Sequence, residues 1–298
     1  MLCSLTMIDL HTHSTASDGN LSPSELVKYA SSKNIKLLAL TDHDTTQGIG
    51  EAVEAGKLYG VKVVPGIEVS VEWPTGEFHL LGLGLQKTSP ELKKIIEFLE
   101  NERITRNQKM AEKLQEQGVD ISYEEVKEKF NTTNLGRPHF AELMVQKGII
   151  RTRQQAFDRY FAKGRPCFVD RQGADLEEAV KAIKASGGIP VQAHPMSMYV
   201  SWGKMDSVME GIISKGVMGI EAWHPGVRMA EAVRLEKMAR SLNVIVTAGS
   251  DFHGEKVRAD RHIGYTTAKE KITDRFWEDE LKTALIKLHG NDDLSYTV

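Results

Sequence analysis

The sequence predicts an α/β protein, a barrel of parallel strands and helices with an inserted helical subdomain. Three observations lead to this fold class. Short apolar segments alternate with amphipathic helical stretches at both ends of the chain. Nearly every apolar segment carries His, Asp or Glu near its carboxyl end, which is where an α/β barrel builds its active site. The residues between the two alternating regions have the sequence pattern of helices and show no buried strand.

The first region has the order strand, helix, strand, helix, strand. Residues 22–25, Ser-Pro-Ser-Glu, combine a hydroxyl N-cap, an early proline and an acidic first turn, so a helix begins there. A second helix is predicted over about 47–60, closed by Gly60, and strands are predicted at 62–64 and about 77–85. This order is typical of βαβ units and predicts a parallel sheet.

The middle of the chain interrupts this order for about 80 residues, which is too long for a barrel connection. We therefore predict a barrel from residues 1–87 and 172–298 and an inserted helical subdomain from 88–171. The predicted helices of the insert are 90–118, 122–129, 138–147 and 152–161. Those of the second barrel region are 176–186, 205–215, 230–242 and 274–289.

The composition excludes several classes of protein. The 298 residues carry a formal charge of −3, so no general basic field attracts duplex DNA or an anionic membrane. No apolar run approaches the roughly 20 residues that span a bilayer. The two cysteines, Cys3 and Cys167, form no zinc-binding pair and suggest a reducing compartment. With no secretory signal visible, we expect a cytoplasmic protein without a membrane or an obligate protein partner.

Histidines and carboxylates at the predicted strand ends suggest a metal centre. His11 and His13 are two residues apart on a strand, so their imidazoles project from the same face. Other strand ends contribute the remaining candidates. The full set of predicted ligands is His11, His13, Asp18, His43, Glu68, His79, His194, Asp251 and His253.

Nine candidate ligands are enough for two or three metal ions, because a single site uses three or four protein ligands. Imidazole and carboxylate without thiolate suit Mn²⁺, Zn²⁺ or Fe²⁺. Up to three divalent ions and three carboxylates leave a positive site for an anionic substrate. Clustered metals that share a bridging hydroxide are a common device for attack on phosphorus. The chain has no Gly-x-Ser-x-Gly nucleophile motif and no phosphate-binding P-loop.

Several motifs occur in an order that resembles the PHP (polymerase and histidinol phosphatase) superfamily. They are Asp9-Leu10-His11-Thr12-His13-Ser14, Thr41-Asp42-His43-Asp44, Pro65-Gly66-Ile67-Glu68, Ala193-His194-Pro195 and Gly249-Ser250-Asp251-Phe252-His253. The resemblance implies a distorted (βα)₇, TIM-like barrel with a trinuclear metal site.

The resemblance also implies how the ligands are shared, with Glu68 as a bridge. The first metal is implied at His11, His13, Glu68 and Asp251. The second is implied at Glu68, His79 and His194, and the third at Asp18, His43 and His253. Glu68, Asp251 and His253 are the residues predicted to take part in catalysis.

The insert narrows the branch of the superfamily. Gly136-Arg137-Pro138-His139-Phe140-Ala141 and Lys163-Gly164-Arg165-Pro166 resemble the insertion of its nucleotide phosphatases. This resemblance implies release of phosphate from nucleoside monophosphates or 3′,5′-bisphosphates, and some members of that branch trim short RNA. Arg137 and Lys163 are predicted to hold a second phosphate, although both also fit solvated charges. His139 and His224 are further candidates for substrate contact.

Other interpretations remain open for single residues. His79 also fits a core histidine, and Asp18 also fits a turn residue, since Ser-Asp-Gly-Asn favours turns. Asp42 and Asp44 flank His43 and are candidates to orient its imidazole. His139 also fits a residue that holds the insert together.

The predicted activity is hydrolysis of a phosphomonoester of a small nucleotide by a metal-bridging hydroxide. One alternative is a 5′→3′ exoribonuclease on short RNA, which needs aromatic platforms for bases; the candidates are Phe140, Tyr160, Phe161 and Phe168. Another is a phosphatase for a substrate such as histidinol phosphate. The alternative outside enzymes is a metal-binding accessory module.

Overall fold

A computed structural model describes residues 6–130, 135–291 and 293–297. The chain divides into two compact units, Met1–Ile96 with Gly173–Val298, and Glu97–Gln172. We call the first the barrel unit and the second the insert unit. Cys3 lies outside the described residues, and Cys167 is buried and is not part of a disulfide among them.

The barrel unit contains one seven-stranded sheet whose strands follow chain order. The strands are β1 (Met7–Thr12), β2 (Ile35–Leu40), β3 (Lys62–Val71), β4 (Phe78–Leu83), β5 (Ile189–Gln192), β6 (Gly219–Trp223) and β7 (Ile245–Ala248). The two edges approach each other, because Thr12 pairs with Phe252 just beyond β7 and the amide of His13 donates to the Phe252 carbonyl at 2.9 Å. The predicted α/β barrel is confirmed.

The prediction of an all-parallel sheet is wrong at one strand. β4 runs antiparallel to both β3 and β5, while the other neighbouring pairs are parallel. The physical reason is the connection between β3 and β4, residues 72–77. A parallel crossover requires a dozen or more residues, so this short link allows only a reversal of direction. The first residues of β4 therefore lie at the same end of the barrel as the carboxyl ends of the other strands.

The helices agree closely with the sequence prediction. They are α1 (Pro23–Ser32), α2 (Ile49–Tyr59), α3 (Pro90–Glu116), α4 (Tyr123–Phe130), α5 (Arg137–Gln146), α6 (Arg153–Ala156), α7 (Leu176–Ala185), α8 (Trp202–Ser214), α9 (Met229–Ser241) and α10 (Lys282–His289). Phe157–Phe161 and Phe276–Leu281 are π-helical segments next to α6 and α10.

Local signals explain where these helices begin and end. The Ser22 hydroxyl accepts from the Glu25 amide at 3.2 Å, and the Glu25 carboxylate accepts from the Ser22 amide at 2.8 Å, which is a capping box. Asp175 caps α7 by accepting from the amides of Glu177 and Glu178. Gly60 ends α2 at φ 67°, a left-handed conformation that glycine adopts without steric cost.

The insert unit has its own apolar core. Met110 and Leu114 of α3 are fully buried with Phe140, Met144 and Phe161. The predicted insert began at residue 88, whereas the compact unit begins at Glu97. The difference arises because α3 starts within the barrel unit, where the Ser89 amide donates to the Ser186 hydroxyl at 3.2 Å.

The chain returns from the insert to a defined position on β3. The amide of Gly173 donates to the Glu72 carboxylate at 2.7 Å, and the amide of Ala174 donates to the Ser70 carbonyl at 2.9 Å. Val71 and Ala174 also form an isolated parallel bridge, so the chain pairs with the end of β3 as it leaves the insert.

Asp9 joins β1 to the segments that follow β7. Its fully buried carboxylate accepts from the Ser250 amide at 3.0 Å, the Ser250 hydroxyl at 2.5 Å and the Gly264 amide at 2.7 Å. It also accepts from the His11 amide at 3.2 Å. Burial raises the pKa of Asp9 to about 6, although the hydrogen bonds from Ser250 and Gly264 oppose that rise. The carboxylate thus fixes β1, and His11 with it, against the loops beyond β7.

Among the residues that the structure describes, no helix combines the length and the apolar character that crossing a bilayer requires.

We expect Asp9→Ala to lower the free energy of unfolding of the metal-free protein by about 3 kcal/mol, because it leaves buried N–H groups without an acceptor. Urea unfolding measures the change. Asp206→Ala is the control, since Asp206 is exposed and lies 4.0 Å from its nearest cation, Arg234; it should change stability by less than about 0.5 kcal/mol. Equal effects of the two substitutions would contradict the role given to Asp9.

Candidate metal centre

The strand ends of the barrel unit bring all nine predicted ligands into one cluster. His11 and His13 come from the end of β1, His43 from the loop after β2, and Glu68 from β3. His79 is the second residue of the reversed β4, so it lies at the same edge. His194 follows β5, and Asp251 and His253 follow β7, while Asp18 lies in the turn after β1.

Glu68 is at the centre of the cluster and is fully buried. Its Oε2 atom lies 3.3 Å from Nε2 of His11, 3.3 Å from Nε2 of His13 and 2.9 Å from Nδ1 of His43. Its Oε1 atom lies 3.0 Å from Nδ1 of His79 and 2.9 Å from Nε2 of His194. One carboxylate therefore contacts five imidazoles, three through one oxygen and two through the other.

Asp251 and Asp18 contact the imidazoles on another side of the cluster. Oδ1 of Asp251 lies 3.4 Å from Nε2 of His13 and 3.4 Å from Nδ1 of His253. Oδ1 of Asp18 lies 3.1 Å from Nε2 of His253. Asp18 is thus part of the cluster as well as of a turn.

Three histidines have one ring nitrogen fixed by an acceptor. Nδ1 of His11 donates to Glu221 at 2.9 Å, and Nδ1 of His253 donates to the Asp251 carbonyl at 2.9 Å. Nδ1 of His194 lies 2.8 Å from the Ser197 hydroxyl, whose proton is directed to backbone carbonyls. Nδ1 of each ring is thus held outside the cluster, and Nε2 is the nitrogen that would bind an ion once the ring is neutral.

Burial and charge act in opposite directions on the carboxylates and most of the imidazoles. Burial raises the pKa of Glu68, but His43, His11 and His79 outweigh it and hold that pKa well below its usual range. Burial lowers the pKa of His79, but Glu68 outweighs it and raises that pKa to about 9. The pKa of His253 rises to about 9 for the same reason, against burial and because of Asp18 and Asp251.

His13 behaves differently from the other two. Burial, together with the neighbouring His253 and His43, lowers its pKa to about 3. His13 is therefore neutral at physiological pH and already in the protonation state that a metal requires of an imidazole.

Buried polar atoms without hydrogen bonds test whether the residues suit a metal. Within the described ranges, Nε2 of His11, both ring nitrogens of His13 and Oε2 of Glu68 have no hydrogen-bond partner of normal geometry. A buried polar atom left in this way costs about 1–3 kcal/mol. A divalent cation between these atoms would satisfy them, and imidazole and carboxylate are its usual ligands.

Among the residues that the structure describes, four overlapping groups have ligand atoms close enough to share an ion, all within 4.8 Å of one another in each group. They are His13 with Asp18, His43 and His253; His11 with Glu68 and His194; His11 with His13 and Asp251; and His43 with Glu68 and His79. Together the groups contain all nine predicted ligands. Glu68, His11, His13 and His43 each belong to two of the groups, so neighbouring ions would lie close together.

The backbone at the strand ends is shaped for this convergence. Asp44, His194 and Asp251 all have positive φ, at 53°, 26° and 54°. Non-glycine residues rarely adopt such angles, which cost about 1 kcal/mol or more each and cluster at functional sites. Gly249 allows the backbone after β7 to pass close to the site. A Cβ there would lie 2.2 Å from Cβ of His11 and 2.6 Å from Oε1 of Glu221.

Glu221 is the main residue of the site that the sequence analysis did not select. It is fully buried on β6, and besides holding His11 it accepts from the His194 amide at 2.8 Å. The signal was present, because a lone carboxylate inside an apolar strand must find a partner on folding. Asp42, a candidate to orient His43, instead accepts from the amide of Ser14 at 2.7 Å and from the hydroxyl of Ser17 at 2.5 Å.

His224 lies beside the cluster, buried after β6. Its Nε2 atom is 3.4 Å from Oδ2 of Asp251, and its Nδ1 atom accepts from the Gly226 amide at 2.9 Å. Nε2 therefore carries the proton and is able to donate. Nothing tests the prediction that His224 contacts substrate.

The predicted substrate residues of the insert unit make contacts within that unit. Arg137 donates to the Val169 carbonyl at 2.9 Å and lies over the ring of Phe168. Nδ1 of His139 accepts from the Gly136 amide at 3.0 Å, which supports its role in holding the insert together. Lys163 is exposed. Their contact with substrate remains a prediction.

Two of the four aromatic residues considered as base platforms are unsuitable. Phe140 and Phe161 are fully buried in the insert core, where their rings are 6.4 Å apart and edge to face. Their faces cannot stack on a base from solvent. The two rings are buried because both residues lie on the side of their helical segments that packs into the core of the insert.

Known proteins resemble this chain over most of its length. A 5′-3′ exoribonuclease of Haemophilus influenzae is 34% identical over 245 residues, which are 82% of this chain and 89% of that protein. A 3′,5′-nucleoside bisphosphate phosphatase of Chromobacterium violaceum is 31% identical over 281 residues, or 94% of this chain and 98% of that protein.

A solved structure supports the same relationship. An amidohydrolase from Chromobacterium violaceum, with bound sulfate and no metal, has a TM-score of 0.81 and 31% sequence identity. The match covers 91% of this chain and 95% of the chain of the amidohydrolase. The PHP domain itself matches residues 9–186, more than half of the sequence. The family predicted from the strand-end motifs is therefore confirmed, and this chain belongs to the PHP domain family.

Proposed function

We propose that the chain is a metal-dependent phosphoesterase that removes phosphate from a small nucleotide, a 3′,5′-nucleoside bisphosphate or a nucleoside monophosphate. The observation that carries this proposal is the cluster of nine imidazole and carboxylate ligands around Glu68. The related bisphosphate phosphatase, which is matched over 98% of its length, supports the choice of substrate. Hydrolysis of a phosphoester is common to the relatives named above as phosphatase and exoribonuclease.

Up to three divalent ions fit the donor set, with Mn²⁺ first and Zn²⁺ or Fe²⁺ as alternatives. His11, His13, Glu68 and Asp251 would hold the first. Glu68, His79 and His194 would hold the second, and Asp18, His43 and His253 the third. When bound, the ions supply a water that ionises near neutral pH and positive charge for the phosphoryl oxygens.

The residues of the chain supply position and proton control. Glu221, Ser197 and the Asp251 carbonyl fix the rings of His11, His194 and His253. Asp42 holds the turn that carries Asp18. In the proposed mechanism Glu68 and Asp251 keep their negative charge throughout, because the surrounding imidazoles hold their pKa values well below the usual range. With its Nε2 atom on an ion and its Nδ1–H held by the Asp251 carbonyl, His253 has no proton to give, so the leaving oxygen takes its proton from water.

A bisphosphate has a second phosphate that requires a separate site. Arg137 and Lys163 of the insert, with His139, are the proposed contacts for it, since Arg offers a bidentate fork and Lys a point charge. The exoribonuclease of Haemophilus influenzae keeps action on short RNA as the second candidate function. The burial of Phe140 and Phe161 disfavours an extended base-stacking groove built from those residues.

Metal binding should release protons from the metal-free protein. His79 and His253 have pKa values raised to about 9, and the pKa of His11 is also raised, so these rings are protonated near neutral pH. A metal binds the neutral ring, so each ligand loses its proton on binding. Release should fall by roughly half between about pH 7 and about pH 9, as those histidines titrate.

Calorimetric titration with Mn²⁺ or Zn²⁺ in buffers of different ionisation enthalpy counts the protons. Binding without proton release at neutral pH would show that the histidines are neutral before the metal arrives, and would contradict the predicted effect of Glu68 and Asp18.

Glu68→Gln should remove the charge shared by the metal ions while preserving shape. We expect the variant to bind fewer metal ions and to lose about 1,000-fold or more in turnover, because buried charge stabilisation at a metal site is large. Metal content by mass spectrometry and phosphate release measure the two effects. Glu54→Gln is the control, since Glu54 is exposed and its ion pair, with Lys57 at 2.6 Å, lies on the surface of α2. Full activity of Glu68→Gln would contradict the central role of Glu68.

A substrate panel distinguishes the candidate functions. We expect the Mn²⁺-loaded protein to hydrolyse adenosine 3′,5′-bisphosphate faster than AMP, histidinol phosphate or a short 5′-phosphorylated RNA, because AMP and histidinol phosphate lack a second phosphate and the RNA needs room for further nucleotides. Release of phosphate, nucleoside and nucleoside monophosphate is measured, with His194→Ala as the blank. Preference for the RNA would favour the exoribonuclease, and metal binding without turnover of any of them would favour an accessory module.

A further inference from the structure

Three basic side chains meet on the far side of Asp251. Its Oδ1 atom faces the imidazoles of the metal centre, as described above. Its Oδ2 atom lies 2.9 Å from Nη1 of Arg258 and 3.4 Å from Nε2 of His224. Arg258 belongs to the loop between β7 and Gly264, and its side chain is 39% exposed. The two oxygens of Asp251 thus face two different environments, one of ligands and one of hydrogen-bond donors.

Arg261 is the third basic residue and is almost fully buried, at 7% exposure. Within the described part of the chain, its Nε atom has no hydrogen-bond partner. The nearest carboxylate oxygen, on Asp260, is 3.5 Å away and belongs to a side chain that is 70% exposed. Asp251 and Glu221 also favour the charged form of Arg261, but neither supplies an acceptor to its Nε atom, which an anionic ligand would do.

Arg261 and His224 border one space. A Cβ on Gly226 would lie 2.8 Å from Nδ1 of His224 and 3.5 Å from Nη2 of Arg261. The two side chains are therefore neighbours across Gly226, and a larger residue at this position would collide with the ring of His224. Burial lowers the pKa of Arg261, and the charge of Arg258 lowers it further, which is consistent with the two guanidinium groups being close.

We propose that Arg258, Arg261 and His224 form an oxyanion subsite for the phosphoryl group that is cleaved. The proposal rests on the phosphoesterase function proposed above. In phosphoryl transfer, charge is distributed over the non-bridging oxygens, and fixed donors directed at them stabilise the transition state. The forked guanidinium groups suit these oxygens, and Nε2–H of His224 is a further donor.

The position identifies which phosphate the subsite binds. Arg258 is in hydrogen-bond contact with a carboxylate that also faces His11 and His13 of the metal centre. A group held by the ions is the one whose bond is broken, so an anion within reach of Arg258 and Arg261 at this place is the scissile phosphoryl group. Arg137 and Lys163, in the insert unit, have the separate role proposed for a second phosphate. Binding of substrate would let Arg258 exchange Asp251 for a phosphoryl oxygen.

The test compares substrates with one and with two phosphates. Arg258→Met, Arg261→Met and Arg261→Lys are prepared as metal-loaded proteins and assayed with AMP and adenosine 3′,5′-bisphosphate. We expect each Met variant to lose about 100-fold or more in kcat/KM with both substrates, as on removal of an oxyanion donor. Arg261→Lys should lose less, because it keeps the charge and loses the fork. Binding of inorganic phosphate by calorimetry should weaken about tenfold in the Met variants.

Lys256→Met is the matched control. Lys256 lies in the same loop, is exposed and loses the same charge on substitution. It should leave turnover, phosphate affinity and metal content unchanged. If its effect equals that of Arg258→Met, general charge and not a built subsite explains the data, and the proposal fails.

Other outcomes also decide the question. Loss of activity with the bisphosphate alone would assign the arginines to the second phosphate and overturn the proposal. A fall in metal content in Arg258→Met would show that this residue acts through Asp251, which also overturns it. If Arg261→Met does not fold, Arg258→Met and Arg261→Lys carry the test. A wild-type protein that hydrolyses none of the phosphoesters contradicts the proposed function, while the phosphate-binding comparison still tests the subsite.

Discussion

The burial of a single carboxylate constrains the whole site. Glu68 is removed from water by β3 and its neighbours, and a buried charge is tolerated only when it is paired. Five imidazoles provide that pairing, and they come from β1, β4 and the loops after β1, β2 and β5. Each of these elements must end at the right height for its histidine to reach the same two oxygens. The positions of the strand ends in the barrel therefore determine whether these side chains can form the site.

The reversed direction of β4 brings one of these histidines to Glu68. A parallel fourth strand would place His79, its second residue, at the edge opposite to the cluster. The short connection from β3 prevents a crossover and turns the strand round, so that His79 pairs in register with Ser70 and reaches Oε1 of Glu68. The distortion of the barrel is thus what completes the ligand set on that side.

The sequence predicted the strands, the helices and the nine clustered residues because each leaves a local signal. His11 and His13 follow an apolar run, and Ser22 to Glu25 contains a capping box. What it did not predict depends on contacts between distant segments. The direction of β4 follows from the length of β3, which runs to Val71 and leaves only residues 72–77 for the link, and Glu221 gains its role only when His11 lies beside it. Phe140 and Phe161 were misjudged for the same reason, since only the packed insert shows that their rings face inward.

The two fixed ends of the insert have a consequence for how this chain tolerates change. Ser89 is bonded to Ser186, and Gly173 and Ala174 are bonded to Glu72 and Ser70, all within the barrel unit. The segment between them has a core of its own. Lengthening a connection adds little to its closing entropy, which grows only with the logarithm of its length. The insert can therefore change in length and sequence while the strands of the barrel unit keep their register.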